Sequence, residues 1–396
     1  MVDRDFGGLF WGKVTSNVSV WVHGVVAAIV VFDATGSALA VSLVSAVQFL
    51  PQVLLSPLSG ILADKGHAAI QLLVGRLLCT IGTGGLAVWW SIGPELDGWD
   101  AAASVLFFSG IVGLGFVTGG AAMQSVVPSM VTTEELPTAM TLNTAPLSIG
   151  RVVGPVIGAI GFTQLGAAPS FMLAALGHFI FVLLLVFCIR VPSAPPETHG
   201  DLSMLAAVQF VRKERTVLRL LVAVAALGMA SEPLLTLAPA VASRLGSGPG
   251  VVGVLAAGFG AGAMLGMIAT AVARRWLHED RVTGLGLAAM ILGIVAGSSV
   301  VPSEGLVTVG FTVAGVGFTM AMASAGSLIQ QRVPAPFRGR VMAMWMMGFV
   351  GSRPASAALT GAVSDAWSVD LAMGAVAVTL LVIAAYCRPR QLRREN

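Results

Sequence analysis

The chain has 396 residues, 56% of them hydrophobic and only 10% charged, with a mean hydropathy of +0.90 and a net charge of +3. A soluble domain carries about 25% charged residues, so a water-soluble globule is excluded and the apolar excess points to lipid. The small net charge argues for no nucleic-acid partner, and 48 glycines suit helices that approach one another closely within a bilayer.

Twelve apolar runs follow in order, near 10–32, 41–62, 69–91, 102–122, 138–162, 170–190, 217–240, 250–273, 282–301, 306–330, 341–364 and 369–387. A helix of roughly 20 apolar residues crosses the hydrocarbon and satisfies its own backbone there. The sequence therefore predicts an all-α integral membrane protein with twelve transmembrane helices and no strand. The first run is long and has many like it, so no cleaved signal peptide is read. Cys79, Cys188 and Cys387 lie far apart in or beside apolar runs, without metal-ligand spacing, and read as buried small hydrophobes.

With both termini in the cytoplasm, 18 of the 22 Lys and Arg fall in inner loops, tails or helix ends. Only Arg244 then lies outside, while Arg76, Arg151 and Arg353 lie within spans. This positive-inside bias sets the expected orientation in a bacterial-type inner membrane. Trp89, Trp90, Trp99 and Trp367 mark the outer interface, and Trp11, Trp276 and Trp345 the inner one. Arg76 is expected to snorkel inward.

The longest polar interval divides the chain into a six-helix bundle at 1–190, a linker at 191–216 and a second bundle at 217–396 with a basic tail. Pro192, Pro195 and Pro196 favour an extended linker, and Asp201 to Arg219 reads as an amphipathic helix on the inner membrane surface. Gln124 and Gln330 each stand four residues before a proline, Pro128 and Pro334, after the fourth and tenth runs. That repeat supports two related halves.

Between the second and third runs the chain reads Gly60-Ile-Leu-Ala-Asp64-Lys65. Asp64 is expected to cap the next helix, and Gly60 to let another helix approach. This segment resembles the loop between the second and third helices of major facilitator transporters, although His67-Ala68-Ala69 replace the usual basic pair. The segment Thr15 to Trp21, with Phe32 to Ala38 and Gln48-Phe-Leu-Pro51, is similar to the enterobactin-exporter-like and macrolide-efflux-like branch. So are Val126 to Ala139, Asn143, Gly150-Arg151-Val-Val-Gly154-Pro155, and Gln331 to Pro334 with Arg338-Gly-Arg340. The resemblance implies two pseudo-symmetric six-helix halves that alternate access, and export of a drug, siderophore or other secondary metabolite. Gly154-Pro155-x-x-Gly158 resembles the fifth-helix motif of antiporters.

Charges inside spans are functional candidates. Glu232 lies about 21 Å along the seventh span at 1.5 Å per residue, before the bend that Pro233 imposes, and is the candidate proton carrier. A structural partner for an intramembrane arginine is the alternative. Arg151 and Arg353 occupy matching depths in the fifth and eleventh runs, each beside a proline, and are candidates to bind an anionic or hydrogen-bonding substrate. Asp33 is a second proton candidate, although Asp33-Ala-Thr-Gly also reads as a helix-ending turn. Asn17, Trp21, Gln48, Gln52 and Asn143 are candidates to line a cavity. His23 and His178 read as packing histidines, and a methionine group around Met320 and Met346 as ordinary packing, with a pliable apolar pocket as the alternative. Gly60, Asp64, Arg338, Arg340, Gly154 and Pro155 are assigned to gating, with Asp64 facing Arg338 and Arg340.

No phosphate-binding G-x-x-x-x-G-K-[ST] loop, HExxH or Cys/His set occurs, so ATP-driven transport and enzymatic chemistry are not indicated and neither cofactor nor metal is expected. The expectation is a monomeric secondary exporter of an amphipathic small molecule, with the proton as coupling ion. An uncoupled facilitator or lysophospholipid flippase, and a non-transporting receptor on the same fold, are the alternatives.

Overall fold

The computed structural model describes residues 4–94, 96–132, 134–189, 204–298 and 303–392, and among these no strand occurs. The chain runs α1 (Arg4–Thr35), α2 (Ala38–Leu62), α3 (Ala68–Ile92), α4 (Gly98–Ser125), α5 (Leu136–Leu165) and α6 (Ala167–Phe187). The amphipathic α7 (Met204–Lys213) leads into α8 (Arg215–Ser231), α9 (Pro233–Thr236) and α10 (Ala238–Arg244). Then come α11 (Gly250–Ala273), α12 (Glu279–Gly297), α13 (Glu304–Arg332), α14 (Ala335–Ala366), α15 (Val369–Tyr386) and α16 (Pro389–Leu392). Eleven helical segments among the described residues are long and apolar enough to cross a membrane. The remaining predicted span lies on α14, whose 32 residues also suffice, but Arg338, Arg340, Arg353 and Asp365 dilute its hydropathy.

Two compact units result, residues 1–198 with 247–257, and residues 199–246 with 258–396. The proline-rich stretch 191–203 lies outside the described residues.

Glycine sets the packing inside each unit. On α5, Gly150, Gly154 and Gly158 recur every four residues and so share one face. A Cβ at Gly150 would sit 2.7 Å from the Asn17 carbonyl carbon, one at Gly154 2.8 Å from Val18 O, and one at Gly158 3.1 Å from Val22 O. The contacted residues advance along α1 from Asn17 through Val18 to Val22 as the glycines advance along α5, so α1 and α5 run parallel with backbones in contact. In the second unit Gly286 meets Gly317 and Ala321, and Gly293 meets Gly310 and Ala314, which is the antiparallel counterpart between α12 and α13. Lipid gives helices no hydrophobic reason to associate, so this close van der Waals approach is what holds them.

The segment Ala63–His67 kinks the chain between α2 and α3, as the predicted turn requires. Gly66 takes φ 86°, ψ 9°, outside the helical region, and α3 begins at Ala68 with His67 at the position before it. Asp64 is thus not at the helix start, and its side chain lies outside the described residues. Gly60 also differs from expectation, because nothing described lies within 4 Å of where its Cβ would be. A glycine facing open space permits no special approach. Before α5, Thr132 donates its N–H (3.1 Å) and Oγ (2.9 Å) to the exposed Glu135 carboxylate, which holds that carboxyl below its ordinary range.

Candidate functional site

The second unit builds its site where α8 breaks. Pro233 has no N–H, so it cannot donate to the carbonyl four residues back, Met229 O. Ser356 Oγ of α14 donates to that carbonyl instead, at 2.7 Å. One turn earlier Ser352 Oγ donates to Ala225 O at 2.9 Å. The two hydroxyls advance by four residues on both helices, so α8 and α14 run parallel and in register. Gly228 lets them touch, for a Cβ there would collide with Phe349 O and Ser352 Oγ. Four residues beyond Gly228 and Phe349 stand Glu232 and Arg353. Their meeting follows from this register, and Arg353 Nε donates to Glu232 Oε2 at 2.5 Å.

Glu232 is 1% exposed, and the Arg353 side chain 14%. The guanidinium also lies 5.8 Å from the Phe349 ring centroid. Phe349 belongs to an aromatic row in which Phe259–Phe318, Phe318–Phe349 and Trp345–Phe349 centroids are 5.7, 6.0 and 6.0 Å apart. Trp345 packs at one end of this row. A cavity of about 170 Å³ between α8, α14 and α15 is lined by Met229, Ser356, Thr360 and Thr379 among apolar neighbours, and neither Glu232 nor Arg353 is among its lining residues. The sequence singles out Glu232 as proton carrier or as structural partner of an intramembrane arginine, and Arg353 as substrate contact. The structure joins the two, as the partner alternative expects. Ser352, Ser356 and Phe349 are missed by sequence reasoning, because serine and phenylalanine are ordinary in an apolar helix.

The equivalent place in the first unit is built differently. Arg151 of α5 lies over Trp21 of α1, 5.6 Å from the ring centroid, so a π face stands where the second unit has a carboxylate. Asn17 turns to its own helix and donates Nδ2 to Lys13 O at 2.7 Å. Asn143 accepts from Lys13 Nζ at 2.6 Å, and the same ammonium donates to Met123 O at 2.7 Å. Lys13 is 3% exposed and was not foreseen. A lysine near the end of an apolar run reads as an interfacial residue, and only the tertiary packing encloses it.

Arg76 departs from expectation as well. It is 1% exposed and does not reach outward. Its Nη1 donates to Ser16 Oγ at 2.6 Å, Ser16 Oγ pairs with His178 Nδ1 at 3.0 Å, and Phe116 lies beneath the guanidinium. His23 pairs with Ser109 Oγ at 3.0 Å. Both histidines are packing residues with hydrogen bonds, as read from the sequence. Among the described buried residues of this unit there are two cations and no carboxylate.

The other predicted residues are dispersed. Asp33 is exposed near the end of α1, where Gly36 (φ 63°) closes a turn on Phe32 O, which fits the helix-ending reading. Gln48 is buried, its backbone against Gly113 of α4, and Gln52 is half-buried. Arg338 is exposed and Arg340 half-buried at the start of α14. Pro155 lies inside α5 beside the Gly154 contact. Among the described residues no group of three His, Cys, Asp or Glu is placed to hold a metal ion.

Known proteins agree with this architecture. The chain is similar to the enterobactin exporter EntS of Escherichia coli O1:K1 / APEC, with 26% identity over 394 residues covering 96% of this chain and 89% of the exporter. The corresponding exporter of Salmonella choleraesuis (strain SC-B67) is 26% identical over 372 residues, covering 90% and 84%. Among solved structures, a bacterial homolog of the human lysosomal transporter Spinster superposes with a TM-score of 0.78 at 14% identity, covering 98% of this chain and 96% of that one. The nucleoside transporter NupG gives 0.74 at 14% identity, covering 98% and 100%. These two establish the fold. The family described as "Transmembrane secretion effector" matches residues 3–395, and the chain belongs to this family of major facilitator transporters.

Proposed function

We propose that the chain exports an amphipathic small molecule of the siderophore or secondary-metabolite class in exchange for protons, with Glu232 as the proton-exchanging group. The observation that carries this reading is the enclosed contact between Glu232 Oε2 and Arg353 Nε at the α8 break. A proton and the guanidinium compete for the same carboxylate, so protonation releases Arg353 and deprotonation recaptures it. Both charges are costly in hydrocarbon unless paired, which makes each state of the switch well defined. Pro233 and the serine-supported break put the switch where the helix is most able to bend. A released Arg353 above Phe349, in a row with Phe318 and Trp345, suits a substrate with an acceptor group and an aromatic or aliphatic body. The similarity to enterobactin exporters supports a siderophore-like substrate. Both termini are assigned to the cytoplasm by the basic-residue distribution, and the transporter is taken to act as a monomer.

The test is substrate-triggered proton release in inside-out vesicles, with a panel of siderophores, macrolides and cationic dyes. Release by wild type that disappears in Glu232→Gln is the expected result. Release that persists in the variant removes Glu232 from the coupling role, and binding without any release favours a facilitator or receptor.

A further inference from the structure

Helix α7 carries two faces with different partners. Ala207 and Val211 are buried, and Phe210 stacks on Phe337 at the start of α14, with centroids 5.3 Å apart and planes within 7°. Leu205, Gln209, Arg212 and Lys213, spaced by four, three and one, share the opposite, exposed face. Exposed Arg215 follows directly, and exposed Arg338 follows Phe337. The only acid in α7 or its junction is Glu214, which is half-buried and bends the chain into α8 at φ −90°, ψ 84°. Thus α7 is joined covalently to the helix bearing Glu232 and stacked on the helix bearing Arg353.

We propose that Arg212, Lys213, Arg215 and Arg338 form a docking surface for the phosphate headgroups of anionic phospholipids. The leaflet is the one that the basic-residue distribution assigns to the cytoplasm. Guanidinium and ammonium donors match phosphate oxygens, and the net charge of the patch discriminates an anionic from a zwitterionic headgroup. Exposed Leu205 on the same face supplies the apolar contact that a membrane-surface helix makes with the acyl region and that a free anion could not use. Lipid bound here presses α7 onto Phe337, and so fixes the starts of α8 and α14 relative to each other.

The test uses the full-length protein in lipid nanodiscs. Retained lipid is measured by native mass spectrometry, independently of transport, so failure here leaves the proposed proton exchange standing. Wild type is expected to retain phosphatidylglycerol several-fold over phosphatidylcholine, and Arg212→Gln/Lys213→Gln/Arg215→Gln to lose that preference. Hydrogen exchange at residues 204–213 is expected to slow as the phosphatidylglycerol fraction rises. Equal retention of the two lipids by wild type, or a preference unchanged in the triple variant, overturns the proposal. Displacement of phosphatidylglycerol by inorganic phosphate alone assigns the patch to a soluble anion and overturns the lipid assignment. Exchange in α7 that ignores lipid composition overturns the clamping of α7.

Discussion

A carboxylate and a guanidinium enclosed together between α8 and α14 are stable only as a pair, since each desolvated charge alone costs several kcal/mol. Removing one member should therefore cost more than removing both. Arg353→Gln is expected to destabilise the detergent-solubilised protein by about 3–5 kcal/mol, read as a fall in its melting temperature, while Glu232→Gln/Arg353→Gln recovers most of that loss. If the double variant is as unstable as the single one, the two groups are not energetically coupled. Arg76 obeys a different rule, because its guanidinium donates to the neutral Ser16 hydroxyl. Cys387 offers a local probe at the other end of the chain. It is buried, donates to Arg219 O, and its thiol is pushed up to about 11 by desolvation, against the nearby Arg219. The reactive thiolate is then scarce at neutral pH. Maleimide at pH 7 should modify half-buried Cys188 well before Cys387, and labelling of Cys387 should rise only as the pH approaches that value. Equal labelling at pH 7 would show that the C-terminal segment does not cover the thiol. Glu232, Arg151 and Arg353 are legible in the sequence because a charge in an apolar run has few innocent explanations. Lys13 is not, because its burial depends on Met123 and Asn143, 110 and 130 residues away.

At the scale of elements, the glycine stripe on α5 and the serine ladder on α14 set two helix pairs in register. A side chain at Gly154 would have to separate α1 from α5, moving Trp21 from Arg151. Gly154→Leu is expected to reduce the folded yield several-fold, as overpacking costs about 1–3 kcal/mol or more, whereas Gly60→Ala should be silent because its surroundings are open. A size-exclusion profile of each variant after membrane extraction checks this, and an intact Gly154→Leu protein would contradict the packing argument. The two glycines read alike in the sequence, each in a proline-punctuated apolar run, and nothing local distinguishes a contact from a gap. The Asp64 segment is legible, since charge and glycine suggest a turn and Gly66 at φ 86° leaves the helical region there. The break at Glu232-Pro233 is legible too, because proline removes a donor in any tertiary context. The hydroxyl that compensates for it comes from α14 and is invisible locally.

For the whole molecule, hydropathy alone places the helices, since the bilayer imposes one length and one backbone solution on every crossing. Among the described residues, the α14 crossing falls short by composition, diluted by Arg338, Arg340, Arg353 and Asp365. The membrane fold and the family follow from this periodic pattern and from dispersed motifs, whereas the identity of the transported molecule depends on a few side chains that the pattern does not fix. Among the described residues, the second unit encloses a carboxylate against a guanidinium, Glu232 with Arg353, so coupling should depend on that pair. The most direct measurement compares two modes of transport in proteoliposomes containing wild type or Glu232→Gln. One mode is accumulation driven by an imposed pH gradient, and the other is substrate-for-substrate exchange with no gradient. Proton exchange at Glu232 predicts that the variant loses gradient-driven accumulation but retains exchange. Accumulation that persists in Glu232→Gln at the wild-type level would contradict it.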